Sequence, residues 1–368
     1  MVSRADRFRG SLLAGAVGDA LGFDIEFDSI LSIRRLHGPD GLRGYANPGR
    51  GLITDDTQMT LFTLEGLIRA HVGGRDVVEV LQHAYQRWLY TQGAPWERDS
   101  GPRPGEATLW QRNGGRFAEG RTEPDGWLVT NRGLLESRAP GNTCMRALRS
   151  FANGGPQGTF TTKLNDSKGC GGVMRAAPCA LWPQDVFTVA AQSAALTHSH
   201  PSGYLSAGAL AVIVRTLLDG AGLRQAVDTA LAELVRWDGH QEQLRALENA
   251  IALAGRGRPT PETIAAELGG GWVGEEALAI AVCAALVFED DLGEALLLAV
   301  NHSGDSDSTG AICGNILGAL HGPDAIPAPW LDALELRDVI DQLAVDGLAE
   351  FGPEPPRTGE WLARYPGW

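Results

Sequence analysis

Asp305 and Asp307 stand two residues apart in the run His302-Ser303-Gly304-Asp305-Ser306-Asp307-Ser308-Thr309-Gly310, and an apolar helical stretch, 311–320, follows at once. Carboxylates and hydroxyls at the start of a helix are hard oxygen donors, set where the helix dipole favours negative charge. They suit a hard divalent cation, but two acids alone would leave it under-coordinated. A second acidic helix start, Thr54-Asp55-Asp56-Thr57 ahead of Gln58-Met59-Thr60-Leu61-Phe62, offers further oxygens from about 250 residues away. Each cluster by itself also fits an ordinary N-cap; the pair points to a metal. Thr54, Asp55, Asp56, Asp305, Asp307 and Ser308 contain no sulfur or imidazole, so Mg²⁺ or Mn²⁺ is favoured over zinc. Asp19 and Asp24 are further acids, and Asp19 reads as structural.

The elements that must position these residues are helical. Apolar residues recur at helical spacing through 8–20, 59–68, 77–88, 186–196, 204–218, 223–235, 244–254, 264–268 and 277–287, while strand-like alternation is scarce. The expected fold is all-α, a compact orthogonal multi-helix bundle forming a single domain over 1–368. Gly310, Gly314 and Gly318 recur every four residues, which puts the missing side chains on one helix face. Gly15, Gly18 and Gly22 make a similar face near the N-terminus, so these two helices are expected to cross closely beside the site. Pro259-Thr260-Pro261-Glu262 signals a helix start and Gly269-Gly270-Gly271 a stop. Two stretches lack a period: 93–140, expected to be an irregular insertion near the cleft mouth, and 153–172. The proline-rich tail, 352–368, is expected to be extended.

Composition narrows the class further. Hydrophobic residues at 43%, with 10 Trp, are ample for a core, and no uncharged apolar run reaches the ~18 residues of a membrane span. A formal net charge of −14 disfavours a nucleic-acid groove and would repel an anionic ligand at long range, so such a ligand needs local donors or metal. The five cysteines, Cys144, Cys170, Cys179, Cys283 and Cys313, show no zinc spacing and read as reduced thiols. A soluble, cytoplasmic monomer is expected.

Five segments, in order, resemble the ADP-ribosylglycohydrolase family, which includes the dinitrogenase-reductase-activating glycohydrolases and the ADP-ribosyl-acceptor hydrolases. They are Gly15-Ala16-Val17-Gly18-Asp19-Ala20-Leu21-Gly22 with Glu26-Phe27, then Thr54-Asp55-Asp56-Thr57, then Lys168-Gly169-Cys170-Gly171-Gly172-Val173-Met174-Arg175, then Leu196-Thr197-His198, and Gly304-Asp305-Ser306-Asp307-Ser308. The likeness runs from about Leu12 to Gly322. It implies a hydrolase cleaving the glycosidic bond between ADP-ribose and an acceptor, with two Mg²⁺ held by Thr54, Asp55, Asp56, Asp305, Asp307 and Ser308. Ser308 stands where the family usually has Thr. Catalysis would fall to Glu26 with Asp55 and Asp56. Substrate would be held by Gly169, Cys170, Gly171, Gly172, Met174, His198, Ser303 and Gly304, the glycine loop offering amides to a diphosphate. His200 has no counterpart and reads as structural.

The implied partner is ADP-ribose, or an ADP-ribosylated protein or small molecule. Arginine-directed members carry an Asp-Ile-Gly segment where this chain has Ala139-Pro140-Gly141-Asn142-Thr143, with no acid to pair a guanidinium. That counts against ADP-ribosyl-arginine and leaves serine and other acceptors open. Two other readings stand beside the enzyme. One is a catalytically silent, ADP-ribose-binding or crystallin-like relative, which would be marked by lost metal acids. The other is an immunity protein that blocks an ADP-ribosyltransferase.

Overall fold

The structure is a computed structural model describing residues 2–96 and 124–368, so most of the expected insertion, 97–123, lies outside the described residues. Among the described residues there are sixteen α-helices and no sheet; pairing is limited to two isolated bridges, Gly51 with Leu334 and Gly169 with Val273. In chain order the helices are α1 (Arg4–Gly22), α2 (Ile30–His37), α3 (Asp55–Gly73), α4 (Val77–Thr91), α5 (Asn142–Ala152), α6 (Val186–Ala195), α7 (Pro201–Leu218) and α8 (Leu223–Leu234). They continue with α9 (Gln241–Ala254), α10 (Pro261–Glu267), α11 (Gly274–Val287), α12 (Leu292–Val300), α13 (Ser306–His321), α14 (Ala328–Asp332), α15 (Arg337–Glu350) and α16 (Gly359–Arg364). The all-α expectation is met.

The spine of the bundle is the antiparallel pair α1 and α13, and glycine is what lets their backbones touch. A Cβ placed on Gly18 would lie 2.0 Å from the Gly310 carbonyl oxygen, and one on Gly314 would lie 2.0 Å from that of Ala14. Each mid-helix glycine costs about 1 kcal/mol of helix propensity, offset here by close main-chain packing. Ser11 and Asn315 fasten the crossing: Ser11 Oγ donates to the Asn315 carbonyl at 2.8 Å, and Asn315 Nδ2 donates to the Ser11 carbonyl at 2.9 Å. The pair runs out at the site, because Gly22 at the end of α1 abuts Ser306 and Asp307 at the start of α13.

Around this spine α3 packs against α4 and α15, and α7 against α6, α8 and α11. By length and mean hydropathy α7 could cross a membrane, yet 78% of it is buried inside the bundle. It is a core helix. The tail is not extended throughout: Thr358 accepts a hydrogen bond from the Trp361 amide at 3.2 Å and starts α16. An N-capping threonine outweighs the surrounding prolines there. All five cysteines are free thiols.

Candidate active site

The N-termini of α3 and α13 converge on one cavity of about 440 Å³, whose wall includes Glu26, Asp55, Asp56, Asp305, Asp307 and Ser308. The local reason lies in the caps. Thr54 ends its extended approach and accepts from the Asp56 amide at 3.2 Å, starting α3. Asp305 accepts from the Ser308 amide at 3.2 Å, starting α13. Asp19 sits behind α3, wholly buried, and accepts from the Thr54 amide at 3.0 Å, the Thr57 amide at 3.1 Å and the Thr57 hydroxyl. Its carboxylate is therefore spent on tying α1 to α3, which is the structural role its position suggested.

Glu26 follows the single 3₁₀ turn after α1 and completes the acidic wall. Ligand oxygens of Glu26, Asp305 and Asp307 lie within 4.8 Å of one another. Two buried oxygens, Glu26 Oε2 and Asp56 Oδ1, make no hydrogen bond in the protein. No Lys or Arg side chain is among the described residues lining the cavity. Burial and mutual repulsion then act together. Burial, with Asp305 and Asp55 nearby, pushes Glu26 up to about 8; burial, with Asp19 and Asp305, pushes Asp55 up to about 8. Asp56 and Asp307 are raised well above the ordinary carboxylate range for the same reasons, burial first. Five buried acids, two of them with an orphaned oxygen and no cationic side chain among them, form a site that a divalent cation would satisfy.

The glycine loop 169–171 and His198 also line the cavity, with Cys170 Sγ donating to Asp305 Oδ2 at 2.8 Å. Lys168 anchors the loop through Glu275 at 2.5 Å and Glu242 at 3.2 Å. The Cys170 amide donates to the Trp272 carbonyl at 3.2 Å, and the Gly169 amide to Ser167 Oγ at 3.3 Å. Those two amides are thus committed within the protein, and the loop does not present all its N–H groups to a diphosphate.

The protonation of His198 follows from its neighbours. Arg175, fully buried, donates from Nη2 to Thr197 Oγ1 at 2.8 Å. A guanidinium has no acceptor, so the Thr197 oxygen accepts there; the same hydroxyl lies 2.8 Å from His198 Nδ1 and 3.3 Å from the Ala194 carbonyl oxygen. Burial and the Arg175 charge push His198 down to about 3, so the ring stays neutral on the cavity wall.

The sequence profile described as ADP-ribosylglycohydrolase matches residues 1–356. The chain belongs to the ADP-ribosylglycohydrolase family. It is 27% identical to the ADP-ribosyl-[dinitrogen reductase] glycohydrolase of Rhodospirillum rubrum, covering 90% of this chain and 91% of that protein. It is 24% identical to human ADP-ribosylhydrolase ARH3, covering 92% of both chains. A solved structure titled an ADP-ribosylglycohydrolase-related protein complex superposes with a TM-score of 0.60 at 26% identity, covering 94% of this chain and 98% of that one. The protein is accordingly a glycohydrolase acting on glycosidic bonds to ADP-ribose.

In this glycohydrolase the fold gathers Glu26, Asp55, Asp56, Gly169, Cys170, Gly171, Met174, His198, Asp305, Asp307 and Ser308 on the cavity wall. Four other residues singled out in the sequence lie behind it. Thr54 is fully buried as the N-cap of α3. Gly172 packs against the Gly203 carbonyl, and Ser303 Oγ accepts from the Ile30 amide at 2.9 Å. Gly304 gives close backbone approach, since a Cβ there would lie 1.9 Å from the Gly270 carbonyl oxygen.

The lining also includes Phe27 and Trp272, whose exposed rings stack with centroids 5.6 Å apart. Sequence periodicity gave no sign of this pair, because Phe27 and Trp272 both lie in irregular segments. Ala139, Pro140, Gly141, Asn142 and Thr143 line the cavity, and the Gly141 amide donates to Asp55 Oδ2 at 3.1 Å.

Proposed function

We propose that this glycohydrolase uses a binuclear Mg²⁺ site, with Mn²⁺ as the alternative, to release ADP-ribose from an ADP-ribosylated protein or small molecule. The observation that carries this reading is the set of five buried carboxylates on one cavity wall, two of them with orphaned oxygens. Asp55, Asp56, Asp305, Asp307 and Ser308, with Thr54 behind them, would hold the ions. Bound there, divalent ions supply charge stabilisation and orient hydroxyl groups.

Cleaving the anomeric bond needs a group that holds a proton for the leaving acceptor and can take one from water. Glu26 meets that need by position: its Oε2 is unpartnered on the cavity wall, and burial beside Asp305 and Asp55 raises its affinity for a proton in the metal-free protein. The neutral His198 ring offers a polar group to a ligand, and the carboxylate wall excludes anionic groups from its own side. The apolar Ala139 and Pro140, beside Asn142 and Thr143, place no described acid where a guanidinium would dock, so an acceptor other than arginine is favoured. A release assay with ADP-ribosylated serine, arginine and other acceptors, with and without Mg²⁺, tests this. Metal-independent release would overturn the metal reading, and a preference for arginine would overturn the acceptor reading.

Glu26→Gln is expected to keep ADP-ribose binding within a few-fold while turnover falls by about 10²–10⁴, because the amide keeps the shape and cannot exchange the proton. Calorimetry beside the release assay separates the two. Equal loss of binding and turnover would make Glu26 structural.

The raised carboxyls also set a pH dependence. Glu26 and Asp55 ionise near 8 in the folded chain, against 4.5 and 3.8 as ordinary values. In chelator, the unfolded chain releases those protons first, so stability is full at acid pH and is lost as pH rises through about 8. A bound cation favours the ionised form and reverses this. The Mg²⁺-induced rise in melting temperature should therefore be larger at pH 8 than at pH 6. A shift of equal size at both would show that the cation binds elsewhere.

A further inference from the structure

We infer that Lys168 and Glu275 are a pair of positioning residues: neither lines the cavity, yet together they clamp the glycine loop in register for ADP-ribose. The inference rests on the reading of this cavity as the ADP-ribose site. Three of the four residues at 169–172 are glycine, and glycine restrains its own backbone least. The loop must therefore be fixed from outside. The Gly274 amide donates to the Lys168 carbonyl at 2.8 Å and the Cys170 amide to the Trp272 carbonyl at 3.2 Å, which makes the antiparallel bridge between Gly169 and Val273. Upstream, the His200 amide donates to the Ser167 carbonyl at 3.3 Å.

The Lys168 side chain closes this arrangement across two helix starts. Its Nζ donates to Glu275 Oε1 at 2.5 Å in the first turn of α11 and to Glu242 Oε2 at 3.2 Å in the first turn of α9. Glu242 is half-exposed and also accepts from Ser202 Oγ at 2.6 Å. Glu275 is buried and its Oε2 has no partner, so Lys168 is the one donor to this carboxylate among the described residues. The segment gripped in this way faces the ligand. Gly169, Cys170 and Gly171 line the cavity, and a Cβ on Gly169 would lie 3.3 Å from His198 Nε2, one on Gly171 3.0 Å from its Cε1. Beyond the bridge, Trp272 lines the cavity against Phe27, and the Gly270 carbonyl accepts from the Asp305 amide at 2.8 Å. Slack at the clamp thus reaches the walls on which ADP-ribose would lie, where a misplacement of about 1 Å can cost on the order of 10²-fold.

Lys168→Met leaves Glu275 buried without its donor, a change that can itself unfold a chain. Glu275→Gln keeps the shape and frees the lysine, so it serves as the second variant. Calorimetry with ADP-ribose in Mg²⁺ buffer should show each variant binding on the order of ten-fold more weakly than the wild type. In the release assay KM should rise by a similar factor while kcat changes less, because the lost anchor holds substrate and transition state alike. Lys168→Arg should restore most of the affinity, and the double variant Lys168→Met with Glu275→Gln should bind no worse than either single one. Wild-type affinity in both variants, with melting alone lowered, would make the pair purely structural and overturn the inference. Weaker binding confined to Lys168→Met, with Glu275→Gln unchanged or tighter, would make Lys168 a direct cation for the phosphates and overturn it as well. If the wild type binds no ADP-ribose, the reading of the cavity fails and the clamp falls with it.

Discussion

Asp55→Ala and Asp305→Ala are each expected to lower metal-dependent hydrolysis to near background, and the double variant should be scarcely worse than either. A shared-ion site works as one unit, so losing a ligand from either wall unseats the same assembly, and effects within a unit are far from additive. The structure sharpens the contrast with a purely structural role. Thr54 is the N-cap of α3, so Asp55 is not needed as one; its Oδ2 accepts only from the Gly141 amide among described groups.

Asp55 is fully buried beside Asp19 and Asp305 with its affinity for a proton raised to about 8, so without metal its charge is a burden. Asp55→Ala should then melt no lower than the wild type in chelator at pH 8, while the Mg²⁺-induced shift disappears. Asp305 does cap α13, and its removal carries an added cost of about 0.5–2 kcal/mol. Melting curves with chelator and with Mg²⁺, beside the release assay, decide the matter. Near-normal rates in either single variant would reduce these acids to caps.

Gly314→Ala is expected to be among the most damaging single-methyl additions in the described residues. The new Cβ would sit 2.0 Å from the Ala14 carbonyl oxygen, and that atom is backbone, with no side-chain rotation to relieve it. Overpacking typically costs about 1–3 kcal/mol, and a main-chain clash belongs at the upper end or beyond. A fall in melting temperature of about 4 °C should follow for a cost of about 3 kcal/mol in a chain of this length. The damage should reach the site as well, because displacing α13 moves Asp305 and Asp307 away from Glu26, so Mg²⁺ stabilisation should weaken in the same variant. Gly359→Ala is the matched control: nothing lies within 4 Å of its Cβ position, and its melting temperature should be unchanged. Equal melting of the two variants would mean that α1 and α13 do not touch at their backbones.

The residues themselves determined the helical class, the glycine faces that bring α1 against α13, and the two acidic helix starts. These are properties of local period and residue type, which a chain carries whatever its surroundings. Sequence could also rank Asp19 as structural, but only the fold shows its oxygens consumed by Thr54 and Thr57. The limits were equally specific. The proline-rich tail hid α16, because a single capping threonine decided its start. The glycine loop looked like an open cradle, until the Cys170 and Gly169 amides were seen donating inward.

What only the tertiary structure decided were contacts through space between segments far apart in the chain: Phe27 stacked on Trp272, Cys170 against Asp305, and Arg175 bonded to Thr197 beside His198. Desolvation belongs with them, since the charge state of Glu26 or Asp55 depends on which groups bury it. Linear spacing has no term for either, because a 3.6-residue period fixes the face a side chain takes on its own helix, and packing alone fixes what that face meets.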